Sequence, residues 1–206
     1  MIQARLAAPR RAVRVTALVL GAALLRAVLL PFGDLLSTVV FGACLLAITL
    51  SEGNHYPLPD PPHKGEGNFG PLVIEGGKLP LAPGIVAGLM VGAVLLAPVV
   101  TGRLSQRPLA DFWSWAAIAA VIATLEEMAI RGALYRRWSE EAGPAAAIIA
   151  GAAVFALIHL PRYGLAAMPL DAAVGLALGG LRAVTGRVLP CAIAHTIADW
   201  GAWFWA

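Results

Sequence analysis

Two adjacent carboxylates and an arginine, Glu126, Glu127 and Arg131, are the only formal charges between Trp113 and Leu134. An ionised side chain at the middle of a bilayer costs about 2.5–3.5 kcal/mol on insertion scales, so three in one apolar run require partners and a use. Glu127 and Arg131 stand four residues apart with the acid first, the favourable order for an ion pair within one helix. Glu126 is then left over, turned about 100° round the same helix and free to face another element. Two further polar stations follow in apolar contexts: His159, with Phe155 one turn before it, and His195, with Asp199 one turn after it. A carboxylate and an imidazole can together draw a proton from water, while a second imidazole and its polar neighbour can serve a developing oxyanion. Those are the requirements of water-assisted peptide hydrolysis.

Such stations have to be carried on separate membrane helices. With 59% hydrophobic residues, 13% charged residues and a mean hydropathy of +0.78 over 206 residues, the chain is too apolar for a soluble domain of its size. The expectation is an all-α, polytopic transmembrane bundle of about seven spans, forming one membrane domain over residues 1–206. The net charge of +3 comes mostly from arginines, which sit largely between apolar runs. Snorkelling and topology account for them, the bilayer is the implied partner, and nucleic-acid binding is not indicated. Heavy Ala, Gly and Arg usage fits a bacterial, GC-rich source, hence a multi-pass protein of the bacterial inner membrane.

Breaks in the apolar pattern divide the chain. Residues 1–109 hold the N-terminal spans and a Pro/Gly-rich polar loop at 51–78; residues 110–206 hold every intramembrane station. Arg5, Arg10, Arg11 and Arg14 precede a first span at about Val15–Leu30, which reads as a retained helix, with Arg26 close enough to its end to reach the interface. A second run, Leu35–Leu50, leads into the polar loop, Ser51–Lys78, too rich in Pro and Gly to bury a core of its own. His55 and His63 flank Asp60 there without any metal-ligand spacing and read as solvated. A third span, about Pro83–Val100, carries Gly84, Gly88 and Gly92 as a packing ridge. Arg103 and Arg107 then lead to Trp113 and Trp115, interface anchors at the head of the span that bears the acids and ends in Arg136-Arg137-Trp138.

The remaining spans read Pro144–Leu160, stopped by Pro161, then Pro169–Val184 with a contact face of Gly175, Gly179 and Gly180, then Leu189–Trp205 with Trp200, Trp203 and Trp205 at its interfacial end. Cys44 and Cys191 both fall inside spans, which argues against a disulfide framework. A cytoplasmic N-terminus places Arg10, Arg11, Arg14, Arg136, Arg137, Arg182 and Arg187 on that side and leaves Arg103, Arg107 and Arg162 opposite, so the positive-inside rule favours that orientation.

The three stations in order read Glu126-Glu127-Met-Ala-Ile-Arg131, Phe155-Ala-Leu-Ile-His159 and His195-Thr-Ile-Ala-Asp199. This series resembles the EExxxR, FxxxH and HxxxN/D motifs of the CAAX protease and bacteriocin-processing (CPBP) family of intramembrane glutamic endopeptidases. Arg131-Gly132, Gly175-Leu-Ala-Leu-Gly179 and Thr185-Gly186 agree with the neighbouring pattern, and the resemblance runs from about Phe112 to Phe204. It implies a CPBP-like catalytic core at 110–206, with Glu126 and His159 activating water without a metal or other cofactor. It further implies that Glu127 and Arg131 hold the helix geometry and that His195 with residue 199 stabilises the oxyanion. Position 199 is Asp where many members have Asn, and an ionised carboxylate cannot donate; either burial keeps Asp199 protonated or it orients His195, as a carboxylate does behind a catalytic imidazole, and orientation is the favoured expectation. Ile130 stands where a phenylalanine is frequent.

The expected substrate is a membrane-embedded or membrane-anchored polypeptide: a CAAX-like protein, a bacteriocin leader, an anti-sigma factor or a C-terminal sorting signal. Two other readings use the same residues. One places zinc between Glu126, His159 and His195; the other is a non-enzymatic immunity or scaffold protein whose polar cluster serves packing.

Overall fold

Glycine ridges and charged clasps decide how these apolar helices meet. The computed structural model describes residues 10–53, 79–97 and 111–204. Among them there is no strand. Helix α1 (Arg10–Leu29) passes through a 3-10 turn, Leu30–Phe32, into α2 (Asp34–Gly53). Helix α3 covers Leu81–Leu95. Helix α4 (Phe112–Glu127) continues through a π-helical segment, Met128–Leu134, into α5 (Tyr135–Ala142) as one rod. Then come α6 (Pro144–Tyr163), α7 (Met168–Thr185) and α8 (Leu189–Trp203).

Seven rods among the described residues agree with the expected helical bundle, and four stretches are long and apolar enough to cross a bilayer: Arg10–Phe32, Asp34–Glu52, Pro144–Tyr163 and Leu165–Thr185. The chain is therefore a membrane protein. Helices α3 and α8 have 15 residues each, about 22 Å of rise against a hydrocarbon core of about 30 Å. The rod from α4 to α5 is interrupted at mid-length by Glu126, Glu127 and Arg131.

Several boundaries move for identifiable reasons. Helix α2 continues past Leu50 into the expected polar loop because Glu52 is clasped: its carboxylate accepts from Arg14 at 2.6 Å and Arg137 at 2.8 Å, and its carbonyl from Arg136 at 2.5 Å. Pro161 does not stop α6: it gives up the bond its N–H would have made to the Leu157 carbonyl, but the helix runs on to Tyr163, where the Gly164 N–H closes onto the Leu160 carbonyl at 2.9 Å. Trp203 turns inward instead of anchoring at the interface, 4.8 Å between ring centres from Trp115, while Trp113 is exposed. The rest of the expected polar loop with His55, Asp60 and His63, together with Arg5, Arg103, Arg107 and Trp205, lies outside the described residues.

Two glycine ridges set the inter-helix distances. A Cβ at Gly88 would stand 2.6 Å from the Pro190 carbonyl oxygen, so α3 packs backbone to backbone on α8. A Cβ at Gly175 would lie 2.7 Å from Ala152 Cα, which presses α7 onto α6. Gly179 joins that face against Ile148, but Gly180, expected to share it, has nothing within 4 Å. The shared core runs from Val15 and Val19 of α1 through Phe41 and Leu45 of α2 to Ile130, Phe155 and Leu178.

Candidate active site

Helices α4, α6 and α8 bring the three stations together. One oxygen of Glu126, Oε2, lies 3.9 Å from His159 Nε2 and 3.8 Å from His195 Nε2. Glu126 and His195 are buried and His159 nearly so. The imidazole rings meet at 61° with centres 6.3 Å apart, and Phe155 packs behind both, 4.4 Å from His159 and 5.1 Å from His195.

Hydrogen bonds on the far side of each ring fix its orientation. His159 Nδ1 is 2.8 Å from the Phe155 carbonyl, which can only accept, so Nδ1 carries a proton and Nε2 faces Glu126. His195 Nδ1 is 3.1 Å from Glu127 Oε1, the oxygen that also takes Arg131 Nη1 at 2.9 Å. Arg131 donates through Nη2 to the Gly175 carbonyl at 3.0 Å and lays its guanidinium over the Phe155 ring at 4.9 Å. The adjacent acids thus divide the work: Glu127 is locked into a buried scaffold spanning α4, the π segment, α7 and α8, while Glu126 faces the imidazoles. The π segment fits one more residue into a turn directly after the acids and carries Arg131, a local irregularity typical of functional positions.

Asp199 differs from its expected place. Its Oδ1 is 3.6 Å from His195 Nε2, on the side of the ring that faces the site. The position behind the imidazole belongs to Glu127, 68 residues away in sequence. The sequence offered no signal for that pairing.

A cleft of about 380 Å³ opens onto Glu126, His159 and Asp199. Its apolar walls come from Leu35 of α2 and Ile118, Ala119 and Ile122 of α4, with Trp115 and Ala202 towards the mouth. Five polar residues that sequence reasoning gave no place in the site line it as well: Arg26, Asp34, Thr38, Arg162 and Tyr163. Arg162 forks onto both oxygens of Asp34 at 2.7 and 3.3 Å, and Tyr163 stacks on His159 at 5.7 Å. Arg26, Asp34 and Thr38 lie on other helices, and Arg162 and Tyr163 lie beyond Pro161, where the sequence reads as ending the span; only because that helix continues does Tyr163 share a face with His159.

The arrangement can hold a small polar molecule between one carboxylate and two imidazoles, beside an apolar slot. Residues 108–201 match the family model described as type II CAAX prenyl endopeptidase Rce1-like. An Rce1-like domain of the CPBP family is therefore present at residues 108–201. No curated protein and no solved structure gives a significant match to the chain. The Rce1-like domain contains all four helices that supply Glu126, Arg131, His159, Gly175 and His195, and it is the domain of a CAAX-type intramembrane protease. Arg26 and Asp34, by contrast, reach its cleft from α1 and α2, outside the matched residues.

Proposed function

We propose that this membrane peptidase is a glutamate-dependent endopeptidase, hydrolysing a peptide bond of a membrane-embedded or membrane-anchored protein with a water activated by Glu126 and His159. One observation carries the reading: two Nε2 atoms stand 3.8 and 3.9 Å from a single carboxylate oxygen, with the Nδ1 atom of each ring already engaged. Those separations exceed a direct hydrogen bond and suit a bridging water. The water oxygen attacks the peptide carbonyl carbon and gives its proton to the Glu126 and His159 pair. His195, protonated on both nitrogens among three carboxylates at 3.1–3.8 Å, donates from Nε2 to the oxyanion. As the C–N bond breaks, the captured proton passes to the leaving amine. Glu126→Gln tests this: protein termini present in membranes with the intact chain should vanish with the variant, which should still insert and fold. Retained cleavage would remove Glu126 from the mechanism.

A second reading has its own support. One donor atom each from Glu126, His159 and His195 lie within 4.8 Å of one another, the donor set of a His₂Glu zinc site, and both histidines give Nδ1–H to an oxygen behind them. Activity lost in a strong chelator and restored by zinc would favour it; activity indifferent to chelation would favour direct glutamate catalysis.

A further inference from the structure

We propose that Arg26 binds a carboxylate of the substrate at the mouth of the cleft, which rests on the proteolytic reading above. An arginine in the last turn of an apolar helix ordinarily complements the helix dipole or snorkels to the interface. Arg26 instead turns into the cleft that holds Glu126, His159 and Asp199. One face of its guanidinium rests 4.9 Å above the ring of fully buried Phe41, and among the described residues it forms no hydrogen bond or ion pair. The other cation of the cleft, Arg162, already has a carboxylate partner in its two-bond fork to Asp34. Stacking on an aromatic face leaves the edge donors of a guanidinium available, and their fixed geometry matches a planar carboxylate in two parallel bonds.

The charge environment selects a single anionic group over a dianion. Asp34, Glu126 and Asp199 line the same cleft and would oppose a second negative charge. Beyond the guanidinium the walls are Leu35, Ile118, Ala119 and Ile122, which suit apolar side chains on either side of that carboxylate. A peptide can present the group as its chain terminus or as an acidic side chain. Either would tether the segment next to the scissile bond and fix its register against Glu126.

The test uses the full chain in a neutral detergent and three dansyl-labelled apolar tripeptides: the free acid, its amide, and an amide with a central Asp. Binding is read by energy transfer from the tryptophans, of which Trp115 lines the cleft. The intact chain and Glu126→Gln should both hold the free acid about tenfold or more tightly than the plain amide, the scale of a charge-assisted pair. Arg26→Gln should erase that difference, and Arg26→Lys, which keeps the charge, should retain most of it. A gain for the central-Asp amide instead of the free acid assigns the site to an acidic side chain and equally supports it. Carboxylate preference surviving in Arg26→Gln, or an intact chain that holds neither the free acid nor the central-Asp amide more tightly than the plain amide, overturns the proposal. So does Arg26-dependent binding of phosphatidylglycerol micelles that abolishes the preference, which would make the site one for lipid headgroups. Acid preference without any hydrolysis would sink the proteolytic reading and leave the anion site standing.

Discussion

Two buried carboxylates, Glu52 in the last turn of α2 and Glu126 at the middle of the rod from α4 to α5, are held in opposite ways. Glu52 takes Arg14 on one oxygen at 2.6 Å and Arg137 on the other at 2.8 Å, and Glu140 supports Arg137 at 3.1 Å. Glu126 has only two imidazoles, neither closer than 3.8 Å. Both carboxylates are removed from solvent, yet only the first has its lone pairs filled by protein donors. A saturated carboxylate contributes rigidity: Glu52 ties α1, α2 and α5 together at the last turn of α2. An unsaturated one keeps capacity for a water and a proton, and the protein supplies the missing rigidity one residue later, through Glu127 and Arg131.

The contrast predicts a clean exchange of phenotypes. Glu126→Gln should lower the cleavage rate by about 10²–10⁴-fold, the range for losing a general base, with the thermal unfolding midpoint in detergent unchanged or raised. Glu52→Gln should do the reverse, costing about 3 kcal/mol because the arginine charges lose their counter-ion, while folded enzyme keeps its cleavage rate. Comparable stability losses from both substitutions would mean that Glu126 is as structural as Glu52, and the division between the two carboxylates would fail.

A smaller effect probes the scaffold that frees Glu126. Gly175→Ala places a methyl 2.7 Å from Ala152 Cα, where only backbone movement can relieve it, and shifts the carbonyl that anchors Arg131. The expected cost is about 1–3 kcal/mol, with a parallel fall in cleavage rate as His195 loses its support through Glu127. Gly180→Ala meets open space on the same helix and should leave unfolding and cleavage as they are. Equal responses at the two glycines would show that the α6–α7 contact does not position the site.

How much of this was legible in the sequence follows from what periodicity measures. Spacing of three or four residues reports which side chains share a face of one helix, so the Glu127–Arg131 pair, the His195–Asp199 face and the Phe155–His159 contact could all be anticipated. It carries nothing about which face a neighbouring helix presents. Glu127 behind His195 and Arg131 beneath Gly175 are pairings between helices and could not be read along the chain. Arg26 and Glu52 were hidden for a related reason. A charge at the end of an apolar run looks the same whether it turns to the interface or into the bundle, and only the partner helix decides. The seven rods could be counted from the apolar runs, but not their lengths: α3 and α8 are short rods packed against one another through Gly88 and Pro190.

The smallest expected effect sharpens the comparison at a single side chain. Asp199 reaches His195 from the side that faces the cleft, at 3.6 Å, too long for a hydrogen bond, and its side chain is about one-third exposed. The ring is already oriented by Glu127 at 3.1 Å. Asp199→Asn should therefore keep the imidazole in place, and its amide adds a donor that the oxyanion can use. The cleavage rate should stay within about tenfold of the intact chain, with unfolding unchanged, since a partly solvated carboxylate contributes little to stability. A loss as deep as that of Glu126→Gln would instead give Asp199 the role of a carboxylate that orients His195, and Glu127 would revert to a purely structural partner of Arg131.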